Sequence, residues 1–227
     1  MSIHPTSQSI PPEFYQALTM NGKIPVSYVA APPKQTTASF APSQVDSYIA
    51  MAKSQYTHSV TDTYLYQALE RFSIKGKKIA VLGSTSPWYE SVILAHEAIP
   101  TTISSEPIEN SDTRLKIEQQ VPPKSFNAIF ALLCIKKIGL GNRIDPDADF
   151  AAMKTAKTWL KKDGLLYLSI PVGKDRLVWN SHRIYGEKRM KALFTGWRPT
   201  AYFGYSYEDL LKETPRLHEP VIILKPV

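Results

Sequence analysis

This sequence has few of the features that carry covalent or metal chemistry. One cysteine, Cys134, sits inside an apolar run, which excludes a disulfide framework. The five histidines have no metal-ligand spacing with Cys134 or with one another, so no metal site is expected. There is no Gly-x-Ser-x-Gly nucleophile elbow and no Gly-Lys-Ser/Thr phosphate loop. No apolar run approaches the ~20 residues that span a bilayer. Met1-Ser2-Ile3-His4-Pro5 lacks a basic region followed by an apolar one, and no Asn-x-Ser/Thr sequon occurs, so no signal peptide and a cytoplasmic location are expected.

The 227 residues are enough for one domain with additions, and the 11% aromatic content indicates a packed core. Charge is unevenly placed. Residues 1–150 balance 13 basic against 13 acidic side chains, so the whole net charge of +7 lies in the last third. A basic third can attract an anionic substrate or nucleic acid, or serve as a solvated surface. Nucleic acid is kept as the weaker alternative partner.

The chain is organised around Lys77–Glu106. Ile79-Ala80-Val81-Leu82 reads as a short buried strand, Gly83 as a tight turn, and Ser84 to Ser86 as cap-type residues. Pro87 suits a first helical position. An apolar-periodic run to Ala98 follows, then a second β-prone run ending on Glu106. This is the layout of a nucleotide-type βαβ unit, whose acid, about 20 residues past the glycine, binds ribose hydroxyls.

Before it, residues 1–45 hold seven prolines and read as an extended arm with a short helix from Pro12 to about Met20. Residues 46–227 read as a single α/β domain with a helical lead-in over 46–75. The chain turns helical from Pro42 to Phe72, with Ser43 and then Thr61 or Asp62 as the expected helix caps. Asp62 is also a candidate ligand contact. After the βαβ unit, Leu115-Lys116-Ile117 reads as an edge strand and Phe126–Cys134 as a buried one. A helix begins near Asp147 or Asp149. It stops at Lys161–Gly164, where Gly164 would take the left-handed turn. Leu165–Ile170 is the next strand, Pro171–Gly186 a loop, Glu187–Phe194 a helix. Trp197–Tyr205 and Val221–Lys225 are two final strands that can pair antiparallel.

About seven strands result. The expected fold class is α/β, a doubly wound, mostly parallel seven-stranded sheet with an antiparallel C-terminal strand and an N-terminal extended or helical extension. This Rossmann-like layout resembles the class I methyltransferase sheet more than a pure Rossmann domain. Ligands of such sheets bind beyond the carboxyl ends of the strands, so the loops after Leu82, Ser105, Cys134 and Ile170 should converge.

Several motifs are similar to those of one family: Thr61-Asp62-Thr63-Tyr64-Leu65-Tyr66-Gln67-Ala68-Leu69, Gly83-Ser84-x-x-Pro87-Trp88-x-Glu90 and Gly139-Leu140-Gly141-Asn142-Arg143-x-Asp145-Pro146. The most specific is Pro171-Val172-Gly173-Lys174-Asp175-x-x-x-x-Asn180-x-His182-Arg183-x-Tyr185-Gly186. They resemble domain of unknown function 268 (DUF268), a family related to S-adenosylmethionine-dependent methyltransferases. The resemblance implies a methyltransferase-like fold and S-adenosylmethionine as cofactor. Two departures stand out. Only Gly83 remains of a glycine-rich cofactor loop. Where the family tends to carry Ser-x-Glu-His, this chain has Cys134-Ile135-Lys136-Lys137.

Methyl transfer from a sulfonium is an in-line displacement, so positioning dominates, and a hydroxyl acceptor gains from a base. His182 is the candidate base and Asp175 its orienting partner or the base itself. Lys174, Asn180, Arg183, Tyr185 and Asp62 are candidate substrate contacts. The same cluster can equally fold a long loop, with Asn180 and Asp175 as turn caps and Arg183 in a buried ion pair. Gly83, Ser84, Glu106, Trp88 and Glu90 are the candidate cofactor contacts, although Trp88 can instead staple the helix and Glu90 can serve the helix dipole. The expected function is a methyltransferase acting on a small-molecule or glycan-like hydroxyl. The alternatives are a non-catalytic methyltransferase-like binding or scaffold domain, a nucleic-acid-modifying or -binding protein, and a nicotinamide oxidoreductase.

Overall fold

The computed structural model describes residues 9–30, 37–140, 143–213 and 217–227. The opening Met1–Pro5 stretch, Pro32, Pro33 and the Gly141-Asn142 pair of the third motif lie outside the described residues. The N-terminal part carries α1 (Pro12–Leu18), β1 (Val26–Tyr28), β2 (Ala38–Phe40), α2 (Pro42–Lys53) and α3 (Val60–Arg71). Next come β3 (Lys78–Leu82), α4 (Trp88–Ala95), β4 (Ile99–Ile103), β5 (Ile108–Asn110), β6 (Lys116–Glu118) and β7 (Phe126–Leu132). The last part holds α5 (Ala148–Trp159), β8 (Leu160–Ser169), β9 (Arg176–Trp179), β10 (His182–Ile184), α6 (Glu187–Leu193), β11 (Trp197–Phe203) and β12 (Val221–Pro226).

Seven strands form the main sheet in the order β11-β12-β8-β7-β3-β4-β6. Six run in one direction, and β12 alone is reversed, antiparallel to both β8 and β11. This is the doubly wound class expected from the sequence. The strands at its centre are apolar on both faces because helices cover both. Met153, Ala156, Met190 and Leu193 from α5 and α6 pack on one side; Leu65, Leu69, Val92 and Ile93 from α3 and α4 pack on the other. The chain moves outward from β3 through β4 to β6 and then returns to β7 on the other side of β3. The strand order therefore reverses at β3, and in sheets of this kind the ligand crevice lies beyond the carboxyl end of that strand.

The structure corrects several local expectations. Pro171–Gly186 is not a plain loop: β9 and β10 form an antiparallel hairpin, with Asn180 at φ +65° in its turn. β1 adds to β9 in parallel, so the N-terminal arm supplies a strand. Ile10, Leu18 and Ile24 of the arm pack with Leu140, Leu177 and Trp179. Residues 161–164 belong to β8, and Asp163 rather than Gly164 takes the left-handed conformation, at φ +65°. Short polar side chains tolerate that region. Ser59 rather than Thr61 or Asp62 caps α3, and Asp62 completes its capping box. Pro42 opens α2 after Ala41, so Ser43 lies inside the helix, and Pro87 occupies the cap position of α4.

The hairpin is fastened to α5 and α6 by a buried polar network centred on Asp149. Its carboxylate accepts hydrogen bonds from Arg189 Nε (3.0 Å) and Nη2 (2.7 Å) and from the Tyr185 hydroxyl (2.9 Å). Arg183 donates from Nη1 to the Ile138 carbonyl at 2.6 Å, with its Nε 3.9 Å from Asp149. Asp149, Tyr185, Arg183 and Arg189 are all buried. Removing the carboxylate leaves two arginines in a dry interior without a counter-charge. Asp149→Ala is therefore expected to lower the unfolding free energy by about 3–5 kcal/mol, as read from urea denaturation. A loss below about 1 kcal/mol, the size of a surface pair, would contradict this role.

Candidate functional site

The loop after β3 is shaped by one glycine. Gly83 is solvent-exposed and has φ +64°. A Cβ there would lie 2.7 Å from Cys134 Cβ, at the end of β7, so a side chain is excluded by both backbone and space. Ser84 Oγ stands 2.8 Å from the Ser86 carbonyl and 3.1 Å from Glu90 Oε2. Thr102 of β4 donates to Glu90 Oε1 at 2.6 Å. Glu90 is itself fully buried, and loss of solvation raises its pKa to about 7 against the pull of the Thr102 and Ser84 hydrogen bonds. It thus braces the loop from beneath, tying α4 and the Ser84 turn to β4. Glu106 is exposed three residues past β4, where the Ser104 hydroxyl holds its backbone.

Asp62 is a second buried hub. One carboxylate oxygen accepts the His58 and Ser59 amides at 2.8 and 3.1 Å; the other accepts Trp88 Nε1 at 3.2 Å. The Tyr89 hydroxyl also bonds to it; burial, and then Asp62, push that phenol far above its ordinary pKa. Trp88 is buried at the start of α4, with the rings of His58 and Tyr48 edge-on at 4.4 and 5.5 Å. Asp62 and Trp88 therefore join the α3 cap to the first turn of α4.

Across the crevice, the turn after β7 (Ile135–Lys137) carries Lys136, whose Nζ pairs with Glu219 at 2.5 Å. Both side chains are nearly buried, at 8% and 12% exposure, so each needs the other's charge. The Glu219 carbonyl accepts Thr61 Oγ1 (2.8 Å) and Ser169 Oγ (3.2 Å), which holds the entry to β12 over the ends of α3 and β8. Cys134 is partly exposed, and desolvation pushes its thiol up to about 12, so it stays protonated at neutral pH.

β10 packs against this turn and brings His182 beside Lys136 and Lys137. His182 is half-buried, and Ser181 Oγ lies 2.7 Å from its Nδ1. Burial, then the two lysines, lower its pKa to about 4, which leaves the ring neutral at pH 7. Asp175 does a different job: its carboxylate accepts the amides of Gly186, Lys188 and Arg189 at 2.8–3.0 Å and so anchors the start of α6. Asn180 donates to the Val29 carbonyl at 3.2 Å, and Arg183 and Tyr185 belong to the Asp149 network. Lys174 is exposed, 3.7 Å from Glu213. Gly83 thus lies against Cys134, and His182 lies beside Lys136 and Lys137, while Asp175, Asn180, Arg183 and Tyr185 are engaged in holding the hairpin and α6.

Sequence reasoning missed the roles of Glu219, Thr102 and Tyr89. Lys136 in an apolar run was a signal that an acid must pair with it; nothing local pointed to a partner 83 positions away. Among the described residues no helix is long and apolar enough to cross a membrane, and no three potential ligands gather for a metal ion.

A family profile described as Caenorhabditis protein of unknown function, DUF268, matches residues 76–219. No curated protein matches the sequence. Among solved structures, a 1,6-didemethyltoxoflavin-N1-methyltransferase from Burkholderia thailandensis was solved with that compound and S-adenosylhomocysteine bound. It superposes with a TM-score of 0.58 at 13% identity, over 87% of this chain and 94% of its own. An S-adenosylmethionine-dependent methyltransferase from Clostridium acetobutylicum gives 0.50 at 10% identity, over 80% and 96%. At these identities the likeness is one of fold.

The buried Glu90 makes a pH prediction. Its folded pKa lies above the ordinary 4.5, so the folded chain binds the proton more tightly than the unfolded chain. Stability falls as pH rises from about 4.5 to about 7 and levels off above that. Glu90→Gln, neutral throughout, should gain on the parent by up to about 3 kcal/mol between pH 4.5 and pH 8 in urea unfolding. Parallel stability–pH curves would contradict the assignment.

Proposed function

This chain belongs to the family of Caenorhabditis proteins of unknown function, DUF268, and on that premise we propose that it is an S-adenosylmethionine-dependent methyltransferase for a hydroxyl on a small or glycan-like substrate. The observation that carries the reading is the exposed Gly83 turn at the point where the strand order of a class I methyltransferase sheet reverses. The residues fit such a cofactor: a side chain is excluded at Gly83, small hydroxyl residues follow it, and Glu106 lies exposed past the neighbouring strand. Bound there, the cofactor's sulfonium supplies an electrophilic methyl group.

In this reading Gly83 and Ser84 take the amino-acid end of the cofactor and Glu106 the ribose hydroxyls. Glu90, Trp88 and Asp62 act one layer behind, holding the loop. His182 is the group that meets the acceptor. Burial, helped by Lys136 and Lys137, keeps its ring unprotonated, so a nitrogen is available to accept a hydroxyl proton across the neutral range. Asp175, Asn180, Arg183 and Tyr185 position the hairpin that carries it, and Lys174 offers an exposed charge at its start.

A second reading, a binding or scaffold domain without catalysis, is favoured by one observation. Lys136 is committed to Glu219 at the place where the family tends to carry an acid. Isothermal titration separates the readings from a mistaken fold-based inference. S-Adenosylhomocysteine should bind the parent chain, and Glu106→Ala, at an exposed residue, should weaken the binding without altering the circular dichroism. No heat at millimolar ligand would overturn the cofactor assignment. If the ligand binds, radiolabelled methyl transfer into cell extracts that survives unchanged in His182→Ala would remove His182 from the mechanism.

A further inference from the structure

A second cleft, of about 330 Å3, lies at the edge strand β11, between α6 and the short turn Tyr207–Leu211. Its walls are the rings of Phe194, Tyr202, Tyr205 and Tyr207, and α6 contributes Glu187 and Lys191, one turn apart. Met190 and Leu210, both buried, line it as well and form its apolar base. Tyr202 and Tyr205 stack with centroids 4.8 Å apart and planes at 20°. The Tyr207 hydroxyl donates to Glu187. Tyr202 and Tyr207 nonetheless remain 46% and 56% exposed.

Apolar walls with a few convergent polar groups are features shared with ligand sites; this depression is open to solvent, and its volume lies at the low end of the usual range. Three features narrow the occupant. Of the residues that line the cleft one is acidic, Glu187, and one is basic, Lys191, so the lining itself carries no net charge. Strand addition along β11 is obstructed: Pro199 has no N–H to donate, and the ladder is irregular between Pro199 and Ala201. The aromatic faces demand a flat apolar surface, whereas Glu187, Lys191 and the tyrosine hydroxyls demand hydroxyl partners around its edge. A saccharide ring has both: a face of C–H groups suited to the electron-rich face of an aromatic ring, and hydroxyls at its rim.

We infer that this cleft is a saccharide-binding site, with a neutral sugar ring lying on Tyr202 or Tyr207 and its hydroxyls bonded to Glu187 and Lys191. It lies three strand spacings from β7, about 14 Å across the sheet, so it is separate from the Gly83 crevice and binds whether or not that crevice holds a cofactor. Saturation-transfer NMR on the full chain tests it with cellotetraose, chitotetraose and maltotetraose as probes. Saturation of sugar ring protons is expected from the parent with at least one probe. It should fall to background in the Tyr202→Ala/Tyr207→Ala double variant and persist in Tyr202→Phe/Tyr207→Phe, which keeps the rings. Both positions are half-exposed; if the alanine variant nevertheless melts early, Glu187→Gln/Lys191→Ala, altered at two exposed residues, must show the loss. No transfer from any of the three, or equal transfer in the alanine variant, overturns the proposal. So does stronger transfer to indole, which would assign the cleft to planar aromatics, or self-association abolished by the alanine variant, which would assign it to a second copy of the chain.

Discussion

A buried carboxylate, Asp149, sets the geometry of the functional face. Its charge cannot be solvated by water, so it is solvated by Arg189 and Tyr185, with Arg183 close by. Those three side chains come from β10, from the residue after it, and from α6; Asp149 comes from α5. One electrostatic requirement therefore locks the hairpin, two helices and the segment after β7 into a single arrangement. Arg183 extends it by bonding the Ile138 carbonyl, which fixes the Ile135–Lys137 turn beneath β10. The positions of Lys136 and His182 follow from that.

The other side of the crevice obeys the same logic with different acids. Asp62 collects two amides and an indole, and Glu90 collects two hydroxyls; both are buried. Their hydrogen bonds hold the start of α4, and the Gly83 turn is left exposed at the strand end. Buried polar groups thus act as braces, while Gly83, Glu106 and part of His182 keep access to solvent. The polar residues of the most specific motif divide in the same way, with Asp175, Asn180, Arg183 and Tyr185 spent on structure.

The central sheet was legible in the sequence because its strands are buried on both faces and read as continuous apolar runs, as at Ile79–Leu82 and Phe126–Leu132. The antiparallel ending was legible from two strands with no long helix between them. The β9–β10 hairpin was not. Arg176-Leu177-Val178-Trp179 alternates in burial but not in its sequence, and its polar neighbours and the single Asn180-Ser181 turn suggested a loop. Its stabilising partner, β1, lies some 150 residues away. Long-range pairing hid the rest of the site too: Lys136 finds its acid at Glu219, and Asp62 finds its donor at Trp88. Asp163 taking the left-handed turn beside Gly164 shows a local preference overridden by the strand that begins there.

The proposed binding place of S-adenosylmethionine is the crevice beyond the carboxyl end of β3. A crystal soaked with S-adenosylhomocysteine tests that most directly. The predicted result is density for the homocysteine end against Gly83 and Ser84, with the ribose hydroxyls at Glu106. Ligand density at any other position, or a crevice that stays empty at saturating ligand, would contradict it.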